Sequence, residues 1–419
     1  ELDVENRSSH PVFACLDIID ADNKNVFSSK IDILKSKEKK TLTIANPQLW
    51  WPNDHGEQPL YSCAISLQCS DGAVIDARNV TFGIRTVELE QLADTRGGSF
   101  TFIINGRRIF CKGGNWVPAD PFPSGISKTH YERLIGHAHD AHFNMLRAWG
   151  GGIYEPEEFW NACDRMGIMV IQDFLLACAQ YPEDDPVFLD DLRREFADAI
   201  KLLRNHASLV LWSGDNELGM NDPPSSNYWG KQISEQISRP LCRSLDPPRP
   251  YQPTSPFGGK INNSTDAGDC HVSPWYDAGF LRSDMSDYRK KIDAVHGRFV
   301  SECALPGAPP WRSLLKFMTE NDIAGPNADM WEYHTKDNPF NGMDDLTHYQ
   351  MLVRTAENLF GKTDDPCQRV QYMEYVQCEF NRLIVESLRR RKFDCSGVLF
   401  WMYNDCWPAS GWSVVDYYG

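Results

Sequence analysis

From Ile109 onward the chain repeats one pattern that few folds can accommodate. Short apolar runs, each ending in polar or aromatic residues, alternate with stretches of helical periodicity. Strand candidates begin near Ile109, Asn144, Ile168, Leu209, Pro250, Asp269, Phe299 and Val398. Helical stretches fall at 131–142, 156–166, 186–205 and 366–391, each opening near a proline or a polar cap. An apolar run such as Leu209-Val210-Leu211-Trp212 suits a strand buried on both faces, as parallel sheets require. Eight such strands with intervening helices predict an α/β fold, a (β/α)8 TIM barrel over residues 91–419. The widest gap, between the seventh and eighth strands, is where the main insertion falls.

Residues 1–90 read as all-β. Alternating runs at 12–16 and 63–67 are separated by the turn formers Asp22-Asn23 and Asp71-Gly72. That rhythm predicts a small immunoglobulin-like β-sandwich whose last strand runs over 78–87. A loop at 94–98 and a hairpin turning on Asn105-Gly106 then lead into the barrel.

A formal net charge of −16 argues against nucleic acid or an anionic membrane surface as partner. No apolar stretch approaches the ~20 residues needed to cross a bilayer. The 13 cysteines are odd in number and contain no C-x-x-C pair, so they form no disulfide framework. Asn6-Arg7-Ser8, Asn79-Val80-Thr81 and Asn263-Ser264-Thr265 fit the glycosylation pattern, a short motif that leaves the compartment open. Residue 1 is Glu rather than Met, so the expectation is a segment of a longer or processed chain.

Barrel chemistry sits at the C-terminal ends of the strands. There the sequence places Gly113-Gly114-Asn115-Trp116, Arg147-Ala148-Trp149, Gln172-Asp173, Asn216-Glu217, His271, Ser301-Glu302 and Trp401, followed by Asn404-Asp405-Cys406-Trp407. Glu217 and Glu302 stand 85 positions apart. A barrel spends about 31 residues per β/α unit, so three units take about 93. That spacing suits carboxylates on strands four and seven, facing each other across the mouth. Such a pair suits glycosidic cleavage, in which one carboxyl is protonated to assist the departing oxygen and the other is ionised. Asn216 is placed to hydrogen-bond a substrate hydroxyl, and the aromatics offer flat faces to sugar rings.

Several long runs resemble glycoside hydrolase family 2 in its β-mannosidase branch. They are the stretches 112–120, 144–155 and 167–174, and the closing segment from Asn404-Asp405-Cys406-Trp407-Pro408 to Asp416-Tyr417-Tyr418-Gly419. The resemblance implies a retaining exo-β-glycosidase with Glu217 as acid/base, Glu302 as nucleophile and Arg147 orienting that nucleophile. Trp149, Asp173, Asn216 and Trp401 would line the sugar pocket, with His271, Asp405 and Trp407 as further substrate contacts. It implies a glycoside or oligosaccharide substrate, no cofactor, no metal, and an extracytoplasmic location. The family's N-terminal jelly-roll and C-terminal β-domains are absent from these residues, so the chain is expected to be one piece of a larger assembly or a cleaved product.

The sequence also departs from the family. Ile171 replaces a usual aromatic, Asp215 a common Asn, and Cys303-Ala304-Leu305-Pro306 the aromatic-Gly after the nucleophile. Two other function classes stay open: a non-catalytic carbohydrate-binding relative, and a family 2 enzyme of other specificity (β-galactosidase, β-glucuronidase or exo-β-glucosaminidase). His137, His139 and His142 raise a metal hydrolase, but they precede strand two, far from its catalytic exit, and read as ordinary surface or packing histidines.

Overall fold

A computed structural model of the chain describes residues 2–3, 12–33, 37–38, 41–274, 285–325, 329–335 and 346–419; the glycosylation pattern at Asn6 lies outside them. The alternating run at the start forms a four-stranded antiparallel sheet, in the order Asn25–Asp32, Val12–Ile19, Tyr61–Cys69, Val74–Phe82. Val12, Ala14, Leu16 and Ile18 point to one face and pack with Ile33, Tyr61 and Cys63, as the two-residue strand period demands. Leu2–Asp3 pairs with Lys37–Glu38 in a separate two-stranded ladder.

The strand expected over 78–87 divides. Its first part ends at Phe82, where Gly83 passes so close to Ala207 that a Cβ there would lie 2.7 Å from the Cβ of Ala207. Arg85 then donates to the carbonyls of Ala207 (3.0 Å) and Leu209 (2.6 Å). Val87–Glu90 joins a different sheet, antiparallel to Thr101–Ile104, which in turn pairs with Arg107–Arg108. Asn105 and Gly106 both have positive φ (50° and 77°), which suits the tight two-residue turn between the last two strands. The expected loop at 94–98 contains a small pairing of Ala93–Asp94 with Gly97–Gly98.

The larger sheet has eight strands: β1 (Cys111–Trp116), β2 (Met145–Ala148), β3 (Met169–Asp173), β4 (Leu209–Ser213), β5 (Tyr251–Gln252), β6 (Cys270–Val272), β7 (Val300–Ala304) and β8 (Gly397–Trp401). All neighbouring pairs are parallel, in the order β5-β4-β3-β2-β1-β8-β7-β6, so the first strand pairs with the last and the sheet curls, as fits a TIM barrel. Every residue of β2, β3 and β4 is buried. This is why they read as continuous apolar runs rather than alternations. At the seam between β5 and β6, Asp269 accepts from the Ser255 hydroxyl (2.6 Å) and the Phe257 N–H (2.8 Å). Below the strands, Phe100, Phe102 and Ile104 pack with Ile109, Met145, Met169, Leu211, Phe299 and Leu399.

Helices Lys128–Asp140, Glu157–Met166 and Pro186–Leu203 connect the first four strands. Asp185 caps the last of these by accepting from the Val187 N–H. Two expectations are corrected. The first helix stops at Asp140, so His142 (φ 59°) lies beyond it and shares no helical face with His139; these side chains bond Asp54 and Asp140 respectively. No helix joins β5 to β6. That segment holds Gly258, Gly259 and Gly268 at positive φ, and its backbone groups bond the loop after β4 instead. Between β7 and β8 lies the insertion, ending in the long helix Pro366–Arg390.

Candidate active site

Arg147 is fully buried at the end of β2. A guanidinium there must have every donor satisfied and its charge matched. Its Nε and Nη2 donate to the two oxygens of Asp173 (3.2 and 2.6 Å), Nη1 to Asn115 Oδ1 (3.0 Å), and Nη2 also to Asn216 Oδ1 (2.7 Å). Nη1 donates as well to Glu302 Oε1 at 2.6 Å. The register explains the convergence, since Asn115 sits beside Arg147 across the β1–β2 ladder. Asn115 in turn donates to the carbonyls of Ser301 and Phe400, tying β1 to β7 and β8. Asp173 is fully buried behind the arginine and also accepts from the Gly150 N–H. Burial pushes Asp173 up to about 6, against the downward pull of Arg147.

Glu217 follows the buried β4 run in a left-handed conformation (φ 66°), an uncommon state for a side-chain-bearing residue. Its N–H donates to the Ser255 carbonyl at 2.9 Å, which fixes the turn. His271 Nδ1 lies 2.6 Å from Glu217 Oε1 and 3.5 Å from Glu302 Oε2. Glu217, His271 and Glu302 each offer one ligand atom within 4.8 Å of the others, so the trio could also hold a metal ion. Burial is the largest influence on all three. It pushes Glu302 up, with the Glu217 charge adding and His271 and Arg147 opposing. For Glu217 the hydrogen bond and charge of His271 outweigh burial and hold the carboxyl below its ordinary value. For His271 the two carboxylates outweigh burial and raise it.

The aromatic side of the mouth is formed by Trp149 and Trp401, edge to face at 5.2 Å. They line a cleft of about 500 Å³ with Pro118, Asp120, Met402 and Trp412. The buried Trp149 Nε1 has no partner among the described residues, which leaves a donor for a ligand. The two remaining expected residues meet other partners. Asp405 is buried and accepts from the Ser413 hydroxyl, while Trp407 stacks on His334 of the insertion at 5.3 Å.

Two participants went unflagged in the sequence. Asn115 stood in a quoted motif, but its role depends on strand register. Cys178 follows β3, and its thiol lies 3.5 Å from Glu217 Oε2. The one available signal was its position on the same rim of strand exits.

Comparison with known proteins finds relatives over most of the chain. The profile of "Glycosyl hydrolases family 2" matches residues 2–85. "Beta-mannosidase B" of Emericella nidulans is 34% identical over 91% of this chain and 46% of the relative. That of Thermothelomyces thermophilus is 31% identical over 93% and 47%. The chain therefore spans about half the length of the curated relatives it matches. Among solved structures, the β-D-mannosidase of Dictyoglomus thermophilum superposes with a TM-score of 0.88 at 37% identity, covering 99% of this chain and 50% of that one. An exo-chitosanase of Amycolatopsis orientalis shares the fold (TM-score 0.70, 22% identity, 98% of this chain and 47% of that one). By sequence and fold the chain is similar to members of glycosyl hydrolase family 2, and among them to β-mannosidases.

Proposed function

We propose that the chain carries the catalytic site of a retaining exo-β-glycosidase that removes terminal β-linked mannose, Glu302 acting as nucleophile and Glu217 as acid/base. The observation that carries the reading is the pairing of the two carboxyls. One oxygen of each lies within 4.8 Å of the other, and only Glu302 is bonded to Arg147. That proximity suits double displacement, for which the carboxyls stand about 5–5.5 Å apart. Arg147 supports an ionised Glu302 poised for attack. As Glu302 bonds the anomeric carbon, Glu217 donates its proton to the departing oxygen. It then takes a proton from the water that hydrolyses the glycosyl-enzyme. Trp149 and Trp401 provide the stacking wall.

Mannose as the sugar follows from the names of the relatives. The same reading divides the chain into an immunoglobulin-like sandwich (1–90) and a closed (β/α)8 barrel (91–419). A longer parent would supply the jelly-roll and C-terminal domains and work outside the cytoplasm. The test is a panel of aryl β-glycosides on the parent protein and its Glu217→Gln variant. The mannoside should be hydrolysed fastest. E217Q should lose on the order of 10²–10⁴-fold on poor leaving groups while retaining much of its rate on an activated aryl mannoside. Equal losses on both substrates would remove Glu217 from the acid role.

A further inference from the structure

Both oxygens of Glu217 are gripped. Oε1 meets His271 Nδ1 at 2.6 Å, and Oε2 meets Cys178 Sγ at 3.5 Å. Each gripping group is itself fixed. The backbone of His271 is clasped by Asn263, whose Oδ1 accepts from the His271 N–H (2.8 Å) and whose Nδ2 donates to the His271 carbonyl (3.1 Å). The other ring nitrogen, Nε2, lies 3.3 Å from the Ser255 hydroxyl. The Ser255 hydroxyl has one hydrogen, and Asp269 Oδ2 takes it at 2.6 Å. The Ser255 oxygen is thereby left to accept, which favours the tautomer with a hydrogen on His271 Nε2. This leaves Nδ1 as the variable position. One proton lies on the short line between Nδ1 and Oε1, either as imidazolium facing carboxylate or as neutral imidazole facing carboxylic acid.

Cys178 is held in the same way. Its N–H donates to the Asn216 carbonyl (3.0 Å), and the Asn216 N–H donates to the Leu176 carbonyl (2.8 Å), so the exits of β3 and β4 are laced together. Asn216 Nδ2 donates to Sγ at 3.2 Å, which orients the thiol hydrogen toward Glu217. Burial and the charge of Glu217 push this thiol up to about 12, so it stays S–H near neutral pH and serves as a donor.

We propose that His271 and Cys178 are positioning residues for Glu217: the imidazole stores at Nδ1 the proton that Glu217 delivers, and the thiol holds the second oxygen in line. The transfer breaks the Nδ1–H bond and forms Oε1–H, converting imidazolium and carboxylate into imidazole and carboxylic acid with no proton drawn from solvent. The charges facing His271 permit both states. Glu217 and Glu302 favour the imidazolium, whereas Arg147 and burial oppose it. Asp269 acts through Ser255, and Asp173 is neutralised behind Arg147.

The inference rests on the acid role of Glu217, and the test separates the two. The full chain and its H271Q, C178A, C178S and E217Q variants are compared by pH profile of kcat/KM on aryl mannosides with good and poor leaving groups. The glutamine introduced by H271Q keeps a neutral donor but stores no proton. H271Q should lose about tenfold on the poor leaving group and under about threefold on the good one, with the limb reporting Glu217 moved up by about one pH unit. C178A should shift the same limb upward by about half a unit, and C178S, which keeps a donor, should restore it. Profiles of H271Q and C178A that overlay the parent, or losses equal across leaving groups, overturn the proposal when E217Q remains leaving-group dependent. If E217Q itself shows no such dependence, the acid assignment fails instead.

Discussion

Asp215 gives the account its sharpest stability prediction. The side chain is fully buried; Oδ1 accepts from the Thr254 hydroxyl (2.5 Å) and the Leu218 N–H (3.1 Å), while Oδ2 has no partner among the described residues. Burial outweighs those two bonds and pushes the carboxyl from 3.8 up to about 8. Between these values the folded chain keeps a proton that the unfolded chain has shed, so stability falls as pH rises through the window. Near pH 7 about three pH units of the window have been crossed, on the order of 4 kcal/mol at 1.36 kcal/mol each. Asp215→Asn keeps the shape and the Oδ1 contacts but cannot ionise. Urea denaturation followed by tryptophan fluorescence should give near-equal stabilities for both proteins at pH 4. The variant's advantage should then grow to several kcal/mol by pH 8. Parallel curves from pH 4 to 8 would refute the buried neutral acid.

Other substitutions follow from the same geometry. Arg147→Met leaves the buried Asp173 and Glu302 without their cation and should cost about 3–5 kcal/mol in denaturant stability, with loss of turnover. Trp401→Ala should raise KM for aryl mannosides far more than Trp407→Ala, because only Trp401 faces Trp149; equal effects would contradict the placement of the cleft. Gly113→Ala should not yield soluble folded protein, since its Cβ would fall 1.6 Å from the Met145 carbonyl oxygen.

The sequence was most legible where burial is two-sided. The strands β2, β3 and β4 were expected within a residue or two, because an apolar run buried against helices on one face and the Phe100-Phe102-Ile104 cluster on the other has little freedom in register. Legibility was poorer where the chain answers to distant partners. The split at Gly83 depends on Ala207, and the helix-free link from β5 to β6 depends on backbone groups after β4. Glu217 and Glu302 could be placed on one rim by counting β/α units, and Arg147 and His271 by their positions at strand ends. That His271 stands between the two carboxylates and Trp407 stacks on the insertion could not be counted, because both depend on how loops turn back. Cys178 was missed for a related reason: its contact with Glu217 arises only where two left-handed residues, at the exits of β3 and β4, bring their loops together.

The most direct test of the central claim is to trap the glycosyl-enzyme. A 2-deoxy-2-fluoro mannosyl donor with an activated leaving group is incubated with the full parent protein, and the peptides are mapped by mass spectrometry. The two-carboxylate account predicts a single stoichiometric label on Glu302, none in Glu302→Gln, and inactivation in step with labelling. Label on another residue, or rapid turnover of the donor without any covalent species, would contradict it.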